Sequence, residues 1–226
     1  LRDLMGLPSA VWDGRCWVDE QGNSTGGHSA YDVKKCPRKI GIISQGIITA
    51  NTDASEHLLH MNFNTVIVDE CHRARRKNLD PKKQNEPPVP NNLYRYLMKI
   101  SEKTEHVLMG TATPMQLLPI EAWDLLNILA QGDDTVLGSR ASMWRSNPES
   151  GLDLLSGKYR ANDPRSAWTW MRNPLPQSFT SPAFKTIREY LDLSETDYMA
   201  NTTYDQLPPH VRVHVEQVAY DYAALH

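Results

Sequence analysis

The stretch Thr65-Val66-Ile67-Val68-Asp69-Glu70-Cys71-His72 decides how this chain is read. Four β-favouring residues, three of them apolar, are too short for a helix and run directly into two acids, the pattern of a buried strand that ends at its carboxyl edge. In an open sheet of parallel strands that edge is where ligands bind. Because successive strand residues face opposite sides, Asp69 and Glu70 point differently. One carboxylate can then hold a hydrated Mg²⁺ while its neighbour reaches a water beyond a terminal phosphate. Taken alone, an ordinary strand end beside a helix N-terminus explains the two acids equally well.

Working outward, Ile40-Gly41-Ile42-Ile43 and His106-Val107-Leu108-Met109 are the other strand candidates. Their nearly continuous apolar character suits a parallel sheet covered on both faces. Ser55 to Met61 reads as a short helix with Ser55 or Asp53 near its N-cap. Asn92 to Lys103 places Leu93, Tyr96, Leu97 and Ile100 on one helical face, and Glu121 to Ala130 does the same with Ala122, Leu125, Leu126 and Leu129. Pro87, Pro88 and Pro90 make Leu79 to Pro90 a loop. This alternation predicts an α/β domain over residues 1–137 with a parallel sheet and flanking helices. Beyond Gly138, where Trp, Ser, Asn and Pro become frequent, it predicts a mostly helical or irregular extension over 138–226, with a helix at Val211 to Leu225.

Composition narrows the function classes. Of the 226 residues 40% are hydrophobic and 23% charged, enough to bury a core. The apolar stretch Ile40 to Ala50 is far short of the ~20 residues that span a bilayer, so neither membrane insertion nor secretion is expected. Three cysteines, Cys16, Cys36 and Cys71, lack the spacing of a metal knuckle and suggest reduced thiols and a cytoplasmic protein, nucleoid-associated if bacterial. Net charge is −3, yet residues 72–85 carry Arg73, Arg75, Arg76, Lys77, Lys82 and Lys83 against Asp80 alone. That local +5 is a directed anion contact or a solvated basic loop, and the residues leave both open. Cys71-His72 as half of a zinc site finds no second ligand pair at usable spacing.

Downstream, Val107-Leu108-Met109-Gly110-Thr111-Ala112-Thr113-Pro114 is a strand that ends in a hydroxyl-rich turn, with Pro114 stopping its continuation. Asp69-Glu70-Cys71-His72 followed by Gly110-Thr111-Ala112-Thr113-Pro114 resembles motifs II and III of superfamily-two helicases and translocases, in the Asp-Glu-x-His (DEAH-box) class. The continuation Pro114-Met115-Gln116, then Glu121-Ala122-Trp123-Asp124-Leu125-Leu126-Asn127-Ile128-Leu129, is similar to the Swi/Snf-related branch of remodeller-like DNA translocases. Ile42-Ile43-Ser44-Gln45-Gly46-Ile47-Ile48-Thr49 stands where that branch keeps motif Ib.

The resemblance covers roughly residues 1–137 and implies the carboxyl part of a RecA-like first lobe of the P-loop NTPase type. It implies ATP and Mg²⁺ as ligands and DNA, double-stranded rather than single, as the track. Asp69 would bind Mg²⁺ through water, Glu70 would polarise the attacking water, and His72 would link the nucleotide site to motif III. Thr111 and Thr113 would couple hydrolysis to DNA engagement. Ser44 and Gln45 would lie near the tracked strand's phosphates, and Arg73, Arg75 and Arg76 would contact phosphate or a nucleotide loop. The sequence departs from the family in two respects: it holds no Gly-x-x-x-x-Gly-Lys-Ser/Thr phosphate loop, since Gly157-Lys158 is followed by Tyr159, and it shows no second RecA-like lobe with its arginine finger. The reading is therefore of a piece of a longer motor, inactive alone, whose phosphate loop and second RecA-like lobe lie elsewhere in the polypeptide. Two alternatives of different class stay open. One is a noncatalytic nucleic-acid or protein interaction module of the same fold, and the other a metal-dependent nuclease built on Asp69 and Glu70.

Overall fold

The computed structural model describes residues 6–79, 87–116 and 118–224. The chain is mixed α and β and divides into two compact units, Leu1–Ala112 and Thr113–His226. This division falls ahead of the compositional shift after residue 137.

The first unit opens with a feature that the sequence reading passes over, a hairpin of β1 (Ser9–Trp12) and β2 (Cys16–Asp19), joined in turn to β3 (Ser24–Gly26). The hairpin turn is made by Asp13, whose Oδ1 accepts the N–H groups of Arg15 and Cys16, each at 2.8 Å. Trp12 and Trp17 are buried and meet edge to face, with ring centroids 5.4 Å apart. The indole N–H of Trp17 donates to the Val33 carbonyl at 3.0 Å, which fixes the short 3-10 helix Ala30–Lys34 against the sheet. Strand β4 (Ile40–Ile43) then pairs parallel to β1, giving the order β3-β2-β1-β4. Gly41 allows this, because a Cβ there would come 2.8 Å from the Trp17 ring.

Helix α1 (Gln45–Thr49) follows, capped by Ser44, and then α2 (Asp53–Leu59). The cap of α2 is Thr52, whose hydroxyl accepts the Ser55 N–H at 3.3 Å, rather than Ser55 or Asp53. Strand β5 (Thr65–Val68) leads through the 3-10 turn Cys71–Arg73 to β6 (Arg76–Lys77), which pairs antiparallel with β7 (Val89–Pro90). Val89 and Pro90 are thus a short strand and not loop. Helix α3 (Asn92–Ser101) buries Leu93, Tyr94, Leu97 and Ile100, and β8 (His106–Met109) returns parallel to β5 with Thr65 opposite His106 and Val68 opposite Met109. The β5–α3–β8 segment is the crossover that the apolar runs predict.

Two expectations need correction. The three strands at 40–43, 65–68 and 106–109 do not share one sheet among the described residues: β4 joins the hairpin sheet, while β5 and β8 pair with each other. The reason is β1, which offers β4 a parallel edge. Nor is the β5–β8 pair covered on both faces. Val68 is buried, but Ile67 and Leu108, adjacent on the opposite face, are 71% and 60% exposed.

The described regular structure of the second unit is helical: α4 (Ile120–Leu129), α5 (Asp134–Leu137), α6 (Met143–Ser146), α7 (Pro148–Leu155), α8 (Pro164–Met171), α9 (Pro182–Tyr190) and α10 (Pro209–Ala224), joined by irregular segments. The irregular periodicity after Gly138 hides three starts with one signature, Asn147-Pro148, Asp163-Pro164 and Ser181-Pro182. In each the side chain caps the helix and Pro occupies its first turn, where no N–H is needed. The buried face of α4 is Ile120, Trp123, Leu125 and Ile128, with Leu126 exposed, so the expected Ala122/Leu125/Leu126/Leu129 stripe is rotated. Trp168, Met171, Leu175, Phe184, Ile187 and Val211 form the core of this unit. No described helix is long and apolar enough to cross a membrane.

Candidate functional site

The site lies at the carboxyl ends of β5 and β8, within the first unit. After buried Val68 the chain exposes Asp69 and Glu70, and Glu70 adopts the left-handed conformation, φ 50° and ψ 44°. For a residue with a Cβ this costs about 1–2 kcal/mol, so neighbouring bonds must hold it. The Glu70 N–H donates to Asp69 Oδ1 at 2.9 Å, the Cys71 N–H to the Gly110 carbonyl at 3.0 Å, and the Gly110 N–H to the Val68 carbonyl at 2.8 Å. The Gln45 amide N–H donates to the Asp69 carbonyl. Cys71, 1% exposed, anchors the turn from inside. Burial pushes its thiol up from the ordinary value, which keeps it a neutral packed group and not a nucleophile.

This backbone turn and the end of β8 bring three side chains together at His72 Nδ1. His72 Nδ1 lies 2.9 Å from Thr111 Oγ1 and 3.1 Å from Glu70 Oε2. A carboxylate only accepts, so the Nδ1–H form of the ring suits Glu70, while the Thr111 hydroxyl can accept from that hydrogen or donate to a bare Nδ1. His72 is mostly enclosed, at 18% side-chain exposure, and Glu70 is open at 56%. The carboxylate is thus oriented from within and presented to solvent. Such an arrangement can order a water and draw a proton from it.

The residues expected to act together fall into three groups. Asp69, Glu70, His72, Thr111 and Gln45 converge. Ser44 stands apart: its hydroxyl accepts the Gly46 N–H at 3.2 Å as the cap of α1. Thr113 belongs to the second unit. Among the basic residues, Arg73 is exposed, Arg75 and Arg76 are half-buried, and Arg76 lies in β6 opposite Pro90, so this stretch is shaped by a two-stranded ribbon. Lys82 and Lys83 lie outside the described residues.

Asn91 is a site-building residue that the sequence reading missed. Its carboxamide oxygen caps α3 by accepting the Tyr94 N–H at 2.8 Å, while its Nδ2 donates to the Arg73 carbonyl at 2.7 Å and its backbone N–H to Arg75. An Asn placed just before an apolar periodic run was the available signal.

Among the described residues no group of three His, Cys, Asp or Glu side chains could hold a metal ion. Asp69 and Glu70 suit a cation that keeps most of its waters and arrives with phosphates, which is how Mg²⁺ is ordinarily bound. Comparison with known protein families, curated proteins and solved structures finds no match to this chain.

Proposed function

We propose that the first unit is part of a RecA-like lobe of an ATP-dependent translocase acting on double-stranded DNA. In this reading the phosphate loop and a second lobe are supplied by polypeptide outside these 226 residues. The observation that carries the proposal is the shared His72 Nδ1, which ties the exposed Glu70 carboxylate at the end of β5 to the Thr111 hydroxyl at the end of β8.

Glu70 polarises the water that attacks the terminal phosphate, and its orientation is kept by His72 behind it. Asp69 would hold the nucleotide's Mg²⁺ through its waters, and the ion would supply charge neutralisation at the phosphates. Thr111 registers the position of β8 on the same imidazole and so links hydrolysis to movement of that strand. Arg73, exposed beside the turn, is available to a phosphate.

In the complete motor, Glu70→Gln should abolish hydrolysis and spare ATP binding, because the amide is nearly isosteric but cannot take a proton. Asp69→Asn should weaken Mg²⁺-dependent nucleotide binding as well. The 226-residue chain by itself should show negligible ATPase activity, since Glu70 acts only on phosphates held in line. Near-parental turnover of both variants in a coupled ATPase assay would refute the proposal, as would DNA-stimulated turnover by the chain alone. The absence of a phosphate loop in these residues favours one other reading, a noncatalytic interaction module of the same fold. That module would bind DNA or protein identically with Asp69 and Glu70 intact or replaced.

A further inference from the structure

Gln45 is the first residue of α1, and its side chain reaches across to the end of β5, where Nε2 donates to the Asp69 carbonyl. The bond joins two sheets that share no strand, since Gln45 follows β4 of the hairpin sheet and Asp69 closes β5 of the parallel pair. The same peptide group is engaged at its other end, where the Glu70 N–H donates to Asp69 Oδ1. With carbonyl and N–H both taken, the rigid Asp69–Glu70 peptide plane is fixed, and the φ of 50° at Glu70 is measured from that plane. Released, an L-residue leaves the left-handed region by rotation of just such a plane.

Gln45 Oε1, meanwhile, is buried without a donor among the described residues. One hydrogen bond made and one acceptor left unpaired give the amide little net value for global stability. What the bond does is local.

We infer that Gln45 is a positioning residue: by holding the Asp69–Glu70 peptide it keeps the Glu70 carboxylate turned to His72, and it acts on hydrolysis without touching nucleotide or DNA. The inference rests on the ATPase reading of the site. It also assigns Gln45 a different task from the nucleic-acid contact expected of its segment.

The test compares Gln45→Leu, which removes the amide and its unpaired oxygen, with Gln45→Asn, which keeps an amide one methylene short of Asp69. Glu70→Gln serves as the control. In the complete motor both Gln45 variants should lower kcat for DNA-stimulated hydrolysis about tenfold, with KM for ATP and affinity for duplex DNA within about twofold of the parent, the signature of a group that orients chemistry and not binding. In the 226-residue chain, hydrogen exchange at the Glu70 and Cys71 amides should quicken at least about fivefold, while Gln45→Leu leaves the melting temperature unchanged or higher. The inference is overturned if kcat and exchange stay at parental values while Glu70→Gln abolishes hydrolysis. It is equally overturned if DNA affinity falls at unchanged kcat, which would make Gln45 a nucleic-acid contact. If Glu70→Gln itself leaves hydrolysis intact, the ATPase reading fails and the inference falls with it.

Discussion

Replacing Thr111 by Val removes one hydroxyl and keeps the β-branched shape, which suits the end of a strand. The lost contact is the 2.9 Å approach of Oγ1 to His72 Nδ1. A neutral, part-buried hydrogen bond contributes about 0.5–1.5 kcal/mol net, and the middle of that range corresponds to about a fivefold change in an equilibrium. Glu70 Oε2, at 3.1 Å, becomes the remaining partner of Nδ1 from this trio, so the imidazole follows the carboxylate more closely and β8 less. Glu70, the hydrolytic group in the proposed function, is untouched. If the proposed function holds, ATP turnover of the complete protein should therefore stay within about twofold of parental, while translocation per ATP consumed falls by up to about fivefold. Triplex displacement and phosphate release measured on one preparation give the ratio, and Thr111→Ser should restore most of it. In the 226-residue chain, the imidazole nitrogen shifts of His72 should move toward a fuller Nδ1–H population. An unaltered ratio together with unmoved imidazole shifts would show that Thr111 is only part of a turn.

Arg188 is 2% exposed and donates to four backbone carbonyls, Leu175, Pro176, Ser194 and Asp197, at 2.9–3.2 Å. Arg188→Met should lower the unfolding free energy of the second unit by about 3–5 kcal/mol, because the carbonyls of Leu175, Pro176 and Asp197 lose their charged donor while that of Ser194 keeps the Asp197 N–H, and urea denaturation followed by Trp fluorescence reads the loss; a loss under about 1 kcal/mol would mean that water replaces the guanidinium. Asp32 is held down to about 2, from 3.8, first by its bond to the Lys35 ammonium and then by the N–H groups of His28 and Ser29. Since the folded value is the lower one, its contribution is full above about pH 4 and is lost as pH falls toward about 2, so the stability gap between the parent and Asp32→Asn should shrink across that window and be flat above it. A gap as large at the acid end as at neutrality contradicts the assignment. Gly138, at φ 72°, has the Asn173 backbone and side chain 2.4–2.7 Å from where a Cβ would stand. Gly138→Ala should accordingly break the bonds between Ser139 and the Asn173 side chain and depress the melting temperature of the second unit, whereas an unchanged melting curve would mean that this packing yields.

Much of the site is local enough to be written in the sequence. Thr65–Val68 and His106–Met109 declare themselves by apolar runs too short for helices, and the amphipathic Asn92–Ser101 between them makes a parallel crossover the economical connection. Once those strands lie side by side, their carboxyl ends must meet, which is why the Asp69-Glu70-Cys71-His72 and Gly110-Thr111 segments could be brought together on paper. The helix starts at Asn147, Asp163 and Ser181 went unread: each carries a cap-then-proline signal, but no apolar period draws attention to it.

What tertiary structure alone decided has a different physical origin. Every strand edge offers the same N–H and C=O groups, so nothing in Ile40–Ile43 states that its partner is Ser9–Trp12 instead of Thr65–Val68; that choice is made by the buried Trp12 and Trp17 pair and by the space that Gly41 leaves for the Trp17 ring. The face that α4 buries is set by what packs against it, not by its richest leucine stripe. The direction of a single side chain depends on dihedral angles that sequence spacing does not encode: the left-handed turn at Glu70 puts its carboxylate on His72, and the Gln45 amide reaches the Asp69 carbonyl from a segment twenty-four positions away. Sequence thus determined which chemical groups arrive at the strand ends, and only the folded backbone determined which of them share a hydrogen bond, because register and rotamer are settled by contacts between residues far apart in the chain.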